Sequence, residues 1–127
     1  MTKQTQSIAA ALAIFAAGAL VGQSDAKLAR PATLLHVVTV KWKADSTPEQ
    51  QAAAIDGIKT MAGAIPGIKS VWIKKIKVQP ADFSTAFAIE FENKAAFDVY
   101  TDAPAHKEWE KVYLPIREES ATHDLTN

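Results

Sequence analysis

The alternation of apolar and polar residues predicts two strands of different character. In the segment 33–43, one set of alternate positions is apolar except for His36, and the other set is apolar only in its first half. The segment 84–92 alternates more regularly, which is typical of a strand with one buried face. Its inward positions are predicted to be Thr85, Phe87, Ile89 and Phe91. The first strand is therefore expected to be largely buried on both sides, and the second strand on one side.

Helical periodicity separates these two strands. A helix is predicted to begin after Thr47, because Thr can cap the first turn, Pro48 fits its first position and Gln50 completes a capping box. Apolar residues then recur at helical spacing as far as Ile65. The sequence Ile-Pro-Gly at 65–67 ends the helix, because proline cannot continue it and glycine supplies the turn.

The remaining elements define the fold class. They are predicted as a strand over 68–79, a helix over 94–102 capped by Asn93, a helical stretch from Pro104, and a short strand within 120–127. The order β-α-β-β-α-(α)-β is that of the α+β ferredoxin-like fold, with two helices on one face of a four-stranded antiparallel sheet. The other face would expose apolar residues such as Leu35 and Val37, and so small a domain needs that area buried. We therefore predict a homodimer whose sheets close face to face.

Residues 1–26 have the pattern of an export signal. A polar start precedes an apolar run over 8–21, which is shorter than the roughly 20 residues that span a bilayer core. Ser24 and Ala26 are the small residues that a signal peptidase reads. We expect cleavage after Ala26, a periplasmic or secreted domain over 27–127, and no stable membrane insertion after cleavage. An uncleaved membrane anchor and a cytoplasmic amphipathic segment are the alternatives.

Charge and composition exclude several classes of function. Lys plus Arg and Asp plus Glu number 14 each, so the chain lacks the basic excess that nucleic-acid binding requires. The absence of cysteine excludes disulfides, thiolate metal sites and a cysteine nucleophile. The three histidines, His36, His106 and His123, do not follow a recognised metal-ligand spacing. We therefore expect no nucleic acid, no metal and no cofactor such as haem or flavin.

Three residues carry side chains suited to proton transfer, and they are His36, Tyr100 and His106. Histidine exchanges protons near neutral pH, because its ordinary pKa is about 6.5. Tyrosine donates hydrogen bonds and acts as a general acid beside a base. A bend at 102–104 would bring Tyr100 and His106 over the sheet face that carries His36. Each residue also fits a simpler role as a packed side chain of the core, and His106 fits a role in the first helical turn.

Several short segments, taken in order, resemble the stress-responsive dimeric A/B barrel (Dabb) family. They are LLHVV at 34–38, IPGI at 65–68, Phe91-Glu92, Tyr100, APAH at 103–106, Leu114-Pro115 and Asp124. The resemblance covers residues 33–126. It implies a dimeric α+β barrel of ferredoxin-like subunits, in a family whose members mostly have no established reaction.

A branch of plant polyketide cyclases in this family closes its substrate by an intramolecular aldol condensation. The resemblance to it implies that His106 is the base, that Tyr100 binds the carbonyl oxygen, and that His36 orients or donates. Ala103 departs from that branch, which has a histidine at this position. We expect an exported stress-response domain that binds a small hydrophobic molecule or serves as a scaffold, with a small apolar pocket between helices and sheet that these three residues edge. The alternative is a cofactor-free cyclase-like or lyase-like enzyme.

Overall fold

The computed structural model describes residues 27–127, and the predicted export signal lies outside these residues. The described elements are β1 (Leu34–Trp42), α1 (Pro48–Ala64), β2 (Ile68–Trp72), β3 (Thr85–Phe91), α2 (Lys94–Tyr100), α3 (Pro104–Tyr113), a 3-10 turn (Leu114–Ile116) and β4 (Arg117–Leu125). The strands form one antiparallel sheet in the order β2-β3-β1-β4. This is the predicted ferredoxin-like α+β fold. No helix within residues 27–127 is long and apolar enough to cross a membrane.

The boundaries of α1 follow the predicted capping residues. The Thr47 hydroxyl accepts from the Gln50 amide at 3.1 Å, and the Gln50 side chain accepts from the Thr47 amide at 2.9 Å. Beyond the helix, Gly67 has a φ of 88°. A Cβ at this position would lie 2.5 Å from the Cβ of Ala96. Both the backbone conformation and the contact with α2 therefore require glycine where the chain turns into β2.

One face of the sheet carries the hydrophobic core. The buried residues of β1 and β3 are Leu34, Val38, Val40, Trp42, Phe87, Ile89 and Phe91. The buried helix residues that pack with them are Ala54, Ile58, Met61, Tyr100, Trp109 and Tyr113. His36 lies in the same row of β1 as Leu34 and Val38, so the strand places its imidazole on the helix side of the sheet.

The strand predicted over 68–79 is too long. β2 ends at Trp72, and residues 73–84 form a connection to β3. The alternation that indicated a strand does not continue in three dimensions, since Ile76 is fully exposed. The helix predicted over 94–102 likewise ends two residues early, at Tyr100.

The last strand is longer than predicted. β4 has nine residues and pairs along β1 from Leu35–Leu125 to Trp42–Arg117, with one irregularity near Lys41. β4 is an edge strand of the sheet, and both of its faces carry mostly polar residues. The alternation of apolar and polar residues therefore does not indicate this strand. The strand forms because its backbone groups make hydrogen bonds with β1, although the strand propensity of its residues is low.

The sheet face opposite the helices carries apolar side chains that the rest of residues 27–127 leaves partly open. Leu35 pairs with Leu125, and Val37 pairs with Ala88. Trp72 is 51% exposed and Leu125 is 55% exposed. We call this surface, formed by Leu35, Val37, Trp72, Ala88 and Leu125, the open sheet face.

Candidate functional site

A cavity of about 180 Å³ lies on the helix side of the sheet, between β1, β4 and α3. Its apolar lining consists of Val38, Phe87, Trp109 and Leu114. Its polar lining consists of His36, Tyr100, Thr101, His106, Glu110, Tyr113, Arg117, Ser120 and Thr122. For scale, an engineered cavity of about 150 Å³ holds one benzene molecule. The space therefore suits a small molecule with about one ring.

The three residues predicted as the site are brought together at this cavity. The ring centroids of Tyr100 and His106 are 4.3 Å apart, and those of His36 and Tyr100 are 5.7 Å apart. A turn between α2 and α3 produces this arrangement, since the Ala103 amide donates to the Tyr100 carbonyl oxygen at 3.1 Å. Pro104 then starts α3 in a new direction. The predicted bend and the predicted position of the pocket are both present.

His36 forms a hydrogen-bonded pair with Asp124. Its Nδ1 lies 2.6 Å from the Asp124 Oδ1, and the two residues are direct partners across β1 and β4. A carboxylate can only accept, so the hydrogen is on Nδ1. In the neutral ring, Nε2 then has a free electron pair. The His36 side chain is only 13% exposed, so this acceptor belongs to the shielded lining of the cavity.

His106 is also fixed through its Nδ1. This atom lies 3.0 Å from the carbonyl oxygen of Thr101 and 3.3 Å from the Glu110 Oε1. Burial lowers the pKa of His106 below its ordinary value, although the Thr101 carbonyl and the Glu110 carboxylate oppose this effect. At neutral pH the ring is therefore uncharged, with Nδ1 as the donor and Nε2 as the acceptor.

Two tyrosines provide hydroxyl groups that remain protonated. Burial raises the pKa of Tyr100 far above its ordinary value and also raises the pKa of Tyr113. The two side chains therefore act as hydrogen-bond donors rather than phenolates. Within residues 27–127, the buried Tyr113 hydroxyl makes no hydrogen bond of good geometry, although Ser120 and Arg117 lie near it and oppose the rise in its pKa.

Sequence reasoning missed several polar residues of the site, of which four matter most for its chemistry. They are Glu110, Tyr113, Arg117 and Asp124. Glu110 and Tyr113 follow His106 by four and seven residues, which is the spacing of one helix face, so a signal was present. Asp124 is one of the positions of the family resemblance, but its pairing with His36 follows only from the register of β4 against β1. Arg117 has no signal in the pattern, because its position depends on the turn before β4.

The polar lining combines two imidazole acceptors with two phenol donors. An imidazole can take a proton from a bound molecule, and a phenol can hold an oxygen on which negative charge develops. Among residues 27–127, no group of three or more His, Asp or Glu side chains is arranged to hold a metal ion. The described residues are thus equipped for hydrogen bonding and proton transfer.

The fold and the cavity define a ferredoxin-like α+β protein with a small polar pocket between helices and sheet. The sequence model of the family of stress responsive A/B barrel domains, Dabb, matches residues 34–127, and the chain belongs to this family. The resemblance found in the sequence is confirmed. None of the curated proteins compared with the chain matches it significantly.

Solved structures show the same fold at low identity. A Dabb family protein from Mesorhizobium loti has 23% identity and a TM-score of 0.63, over 75% of this chain and 96% of that chain. A dimeric protein of unknown function from Bacteroides fragilis has 20% identity and a TM-score of 0.60, over 78% and 100%. A hydroxynitrile lyase from Passiflora edulis has 18% identity and a TM-score of 0.61, over 75% and 93%.

Proposed function

We propose that this domain binds a small, largely apolar molecule that carries a hydrogen-bonding group. The cavity of about 180 Å³ supports this proposal, because aromatic and aliphatic side chains form part of its walls. The polar groups among them can fix the orientation of a bound molecule. Tyr100 and the Nε2 atoms of His36 and His106 are the donors and acceptors available to such a molecule. The family match gives the broader setting, a stress-responsive domain.

Titration with benzamide tests the proposal, because this neutral molecule has one ring and both donor and acceptor atoms. The indole NH signal of Trp109 should shift on addition of benzamide, since Trp109 lines the cavity. Thr122→Trp should abolish the shift by filling the cavity from its exposed side, whereas Thr122→Ser should preserve it. Equal shifts in all three proteins, or no shift in any, would contradict binding in the cavity.

A second candidate function is cofactor-free proton transfer on a carbonyl compound. The 2.6 Å contact between His36 and Asp124 favours it, because a carboxylate that accepts from Nδ1 orients the imidazole and leaves Nε2 as the acceptor. His36 Nε2 would remove a proton from the carbon next to a carbonyl, and Tyr100 would donate to the carbonyl oxygen as it gains charge. This assigns the base to His36, whereas the family resemblance assigned it to His106. An aldol closure or a lyase reaction can begin with this step, and one solved structure of the same fold is named as a hydroxynitrile lyase.

Hydrogen exchange on acetophenone measures this step directly. In D₂O, the protein should speed the replacement of the methyl hydrogens by deuterium at least about tenfold over buffer. The variants His36→Gln and Tyr100→Phe should each remove most of this acceleration. The control is Glu108→Gln, since Glu108 pairs with Lys111 on the exposed side of α3. A rate unaffected by the first two variants would refute catalysis at this site.

We also propose that the domain is a homodimer joined through the open sheet face. The exposure of Trp72 and Leu125 supports this, because a small domain gains much from burying such a surface. A protein of the same fold from Bacteroides fragilis is described as dimeric.

Export with cleavage after Ala26 is the final part of the proposal. Its support is the pattern of residues 1–26, an apolar run followed by small residues. The intact mass of the protein from an exported fraction tests it. A mass corresponding to residues 27–127 is expected, and a mass that retains Met1–Ala26 would contradict cleavage.

A further inference from the structure

We infer that the molecule bound in the cavity carries a carboxylate, and that Arg117 and Tyr113 bind this group at the β4 end. The inference rests on the proposed binding function, and it names the class of ligand. Two neighbouring groups carry it, a guanidinium without an acidic partner and a buried hydroxyl without a hydrogen bond of good geometry.

Arg117 is the first residue of β4 and is half-buried in the lining of the cavity. Its Cζ lies 5.4 Å from the ring centroid of Tyr113, and its Nη1 lies 3.3 Å from the Ser120 hydroxyl oxygen. Among residues 27–127, the ion pairs include none formed by Arg117. A guanidinium has five N–H groups in a fixed plane, and a carboxylate can accept from two of them. Most of this donor capacity is therefore open to a ligand.

The second group is the hydroxyl of Tyr113. The residue is only 4% exposed, and within the described part of the chain no group makes a hydrogen bond of good geometry to its hydroxyl. Ser120 and Arg117 lie near this hydroxyl and oppose the rise that burial causes in the pKa of Tyr113. Buried polar groups are nearly always hydrogen-bonded, so an unpaired one needs an explanation. Tyr113 and Arg117 line the same cavity. A carboxylate that accepts from both would satisfy the hydroxyl and pair the guanidinium.

Glu110 is the acidic residue that lines the cavity, and it determines where an anion can bind. Its Oε1 lies 3.3 Å from the His106 Nδ1, and its Oε2 lies 3.6 Å from the Lys107 Nζ. These contacts hold the carboxylate toward the start of α3. Repulsion from Glu110 would keep a bound carboxylate away from His106 and toward Arg117. The ring or chain of the ligand would then extend toward His36 and Tyr100.

Benzoate and benzamide provide a matched test, because they share size and shape but differ in charge. Both are titrated into the purified protein at neutral pH while the Trp109 indole signal is followed by NMR. Benzoate should bind at least about tenfold more tightly than benzamide, because charge-assisted hydrogen bonds are stronger than neutral ones. Arg117→Gln should remove this preference, and Tyr113→Phe should reduce it. Lys111→Gln removes an equal charge from the exposed side of α3 and should leave the preference unchanged.

Arg117→Lys guards against a loss of structure in the glutamine variant. It retains the charge but not the planar pair of donors, so an intermediate preference is expected. Equal affinity for the two probes in the parent protein would overturn the carboxylate site while leaving the binding cavity intact. Failure of both probes to move the Trp109 signal would overturn the binding function as well. If Lys111→Gln lowered the preference for benzoate as much as Arg117→Gln does, the preference would come from the general charge of the surface. That result would overturn the assignment to Arg117.

Discussion

The indole NH of Trp109 donates to the carbonyl oxygen of Ala54 at 2.7 Å, so a buried hydrogen bond joins α3 to α1. The same indole stacks on Tyr113, with ring centroids 4.3 Å apart and planes inclined by 15°. Close approach of the two helices needs a small residue on α1, and Gly57 supplies it. A Cβ at Gly57 would lie 3.2 Å from the Trp109 Cδ1.

The two helical glycines of α1 should therefore respond in opposite directions to alanine. Gly63→Ala meets no atom within 4 Å, so it should raise the free energy of unfolding by about 0.5–1 kcal/mol through helix propensity. Gly57→Ala has the same gain, but it presses on an indole that is fixed by a hydrogen bond and by stacking. A net loss of about 1 kcal/mol is expected from this crowding. Urea denaturation of both variants measures the difference, and a stabilised Gly57→Ala would show that Trp109 can move.

Asp124→Asn should change the tautomer of His36. The carboxylate holds the hydrogen on Nδ1, whereas an amide can donate to Nδ1 and so favour the tautomer with hydrogen on Nε2. Nitrogen-15 NMR of the imidazole distinguishes the two forms. Asp98→Asn is the matched control, because Asp98 pairs with Lys94 on the exposed side of α2. An unchanged His36 spectrum in Asp124→Asn would mean that the carboxylate does not fix the ring.

Stability should fall on acidification because of His106. Its pKa is lowered in the folded state by burial, so the unfolded chain takes up the proton first. The free energy of unfolding should therefore decline as the pH falls below the unfolded value of about 6.5, and continue to decline down to the folded pKa. His106→Gln should flatten this part of the pH profile in denaturant titrations, whereas Lys111→Gln on the exposed side of α3 should not. A profile of equal slope in His106→Gln would contradict the effect of burial.

Trp72→Glu should separate the proposed dimer. The side chain lies on the open sheet face and is half exposed in the single chain, so a charge there costs little in the monomer. In a face-to-face dimer the same charge would be buried without a partner, which is strongly unfavourable. Sedimentation at micromolar concentration should show a dimer for the parent protein and a monomer for the variant. Val112→Glu, which places the same charge on an equally exposed apolar residue of α3, serves as the control. A parent protein that sediments as a monomer would refute the proposal.

Local signals in the sequence were sufficient for most of the fold. Thr47, Pro48 and Gln50 determine the start of α1 through contacts between near neighbours, and these contacts form as expected. The length of β4 was underestimated, because this strand lacks an apolar pattern of its own. It is held by backbone hydrogen bonds to β1, which lies far away in the chain.

The candidate site divides in the same way. The residue types of His36, Tyr100 and His106 indicate proton chemistry without any structure, and the proline after the bend indicates that the two helices change direction. The partner of each side chain depends on register and packing. Asp124 meets His36 only through the alignment of β4, and Arg117 reaches Tyr113 only because a 3-10 turn follows α3.

The pair His36–Asp124 joins residues that are 88 positions apart, on the first and last strands of the described chain. A ribosome must therefore finish almost the whole domain before the two side chains can meet. Products of premature termination that stop before β4 would lack the carboxylate, the Arg117 guanidinium and one wall of the cavity together.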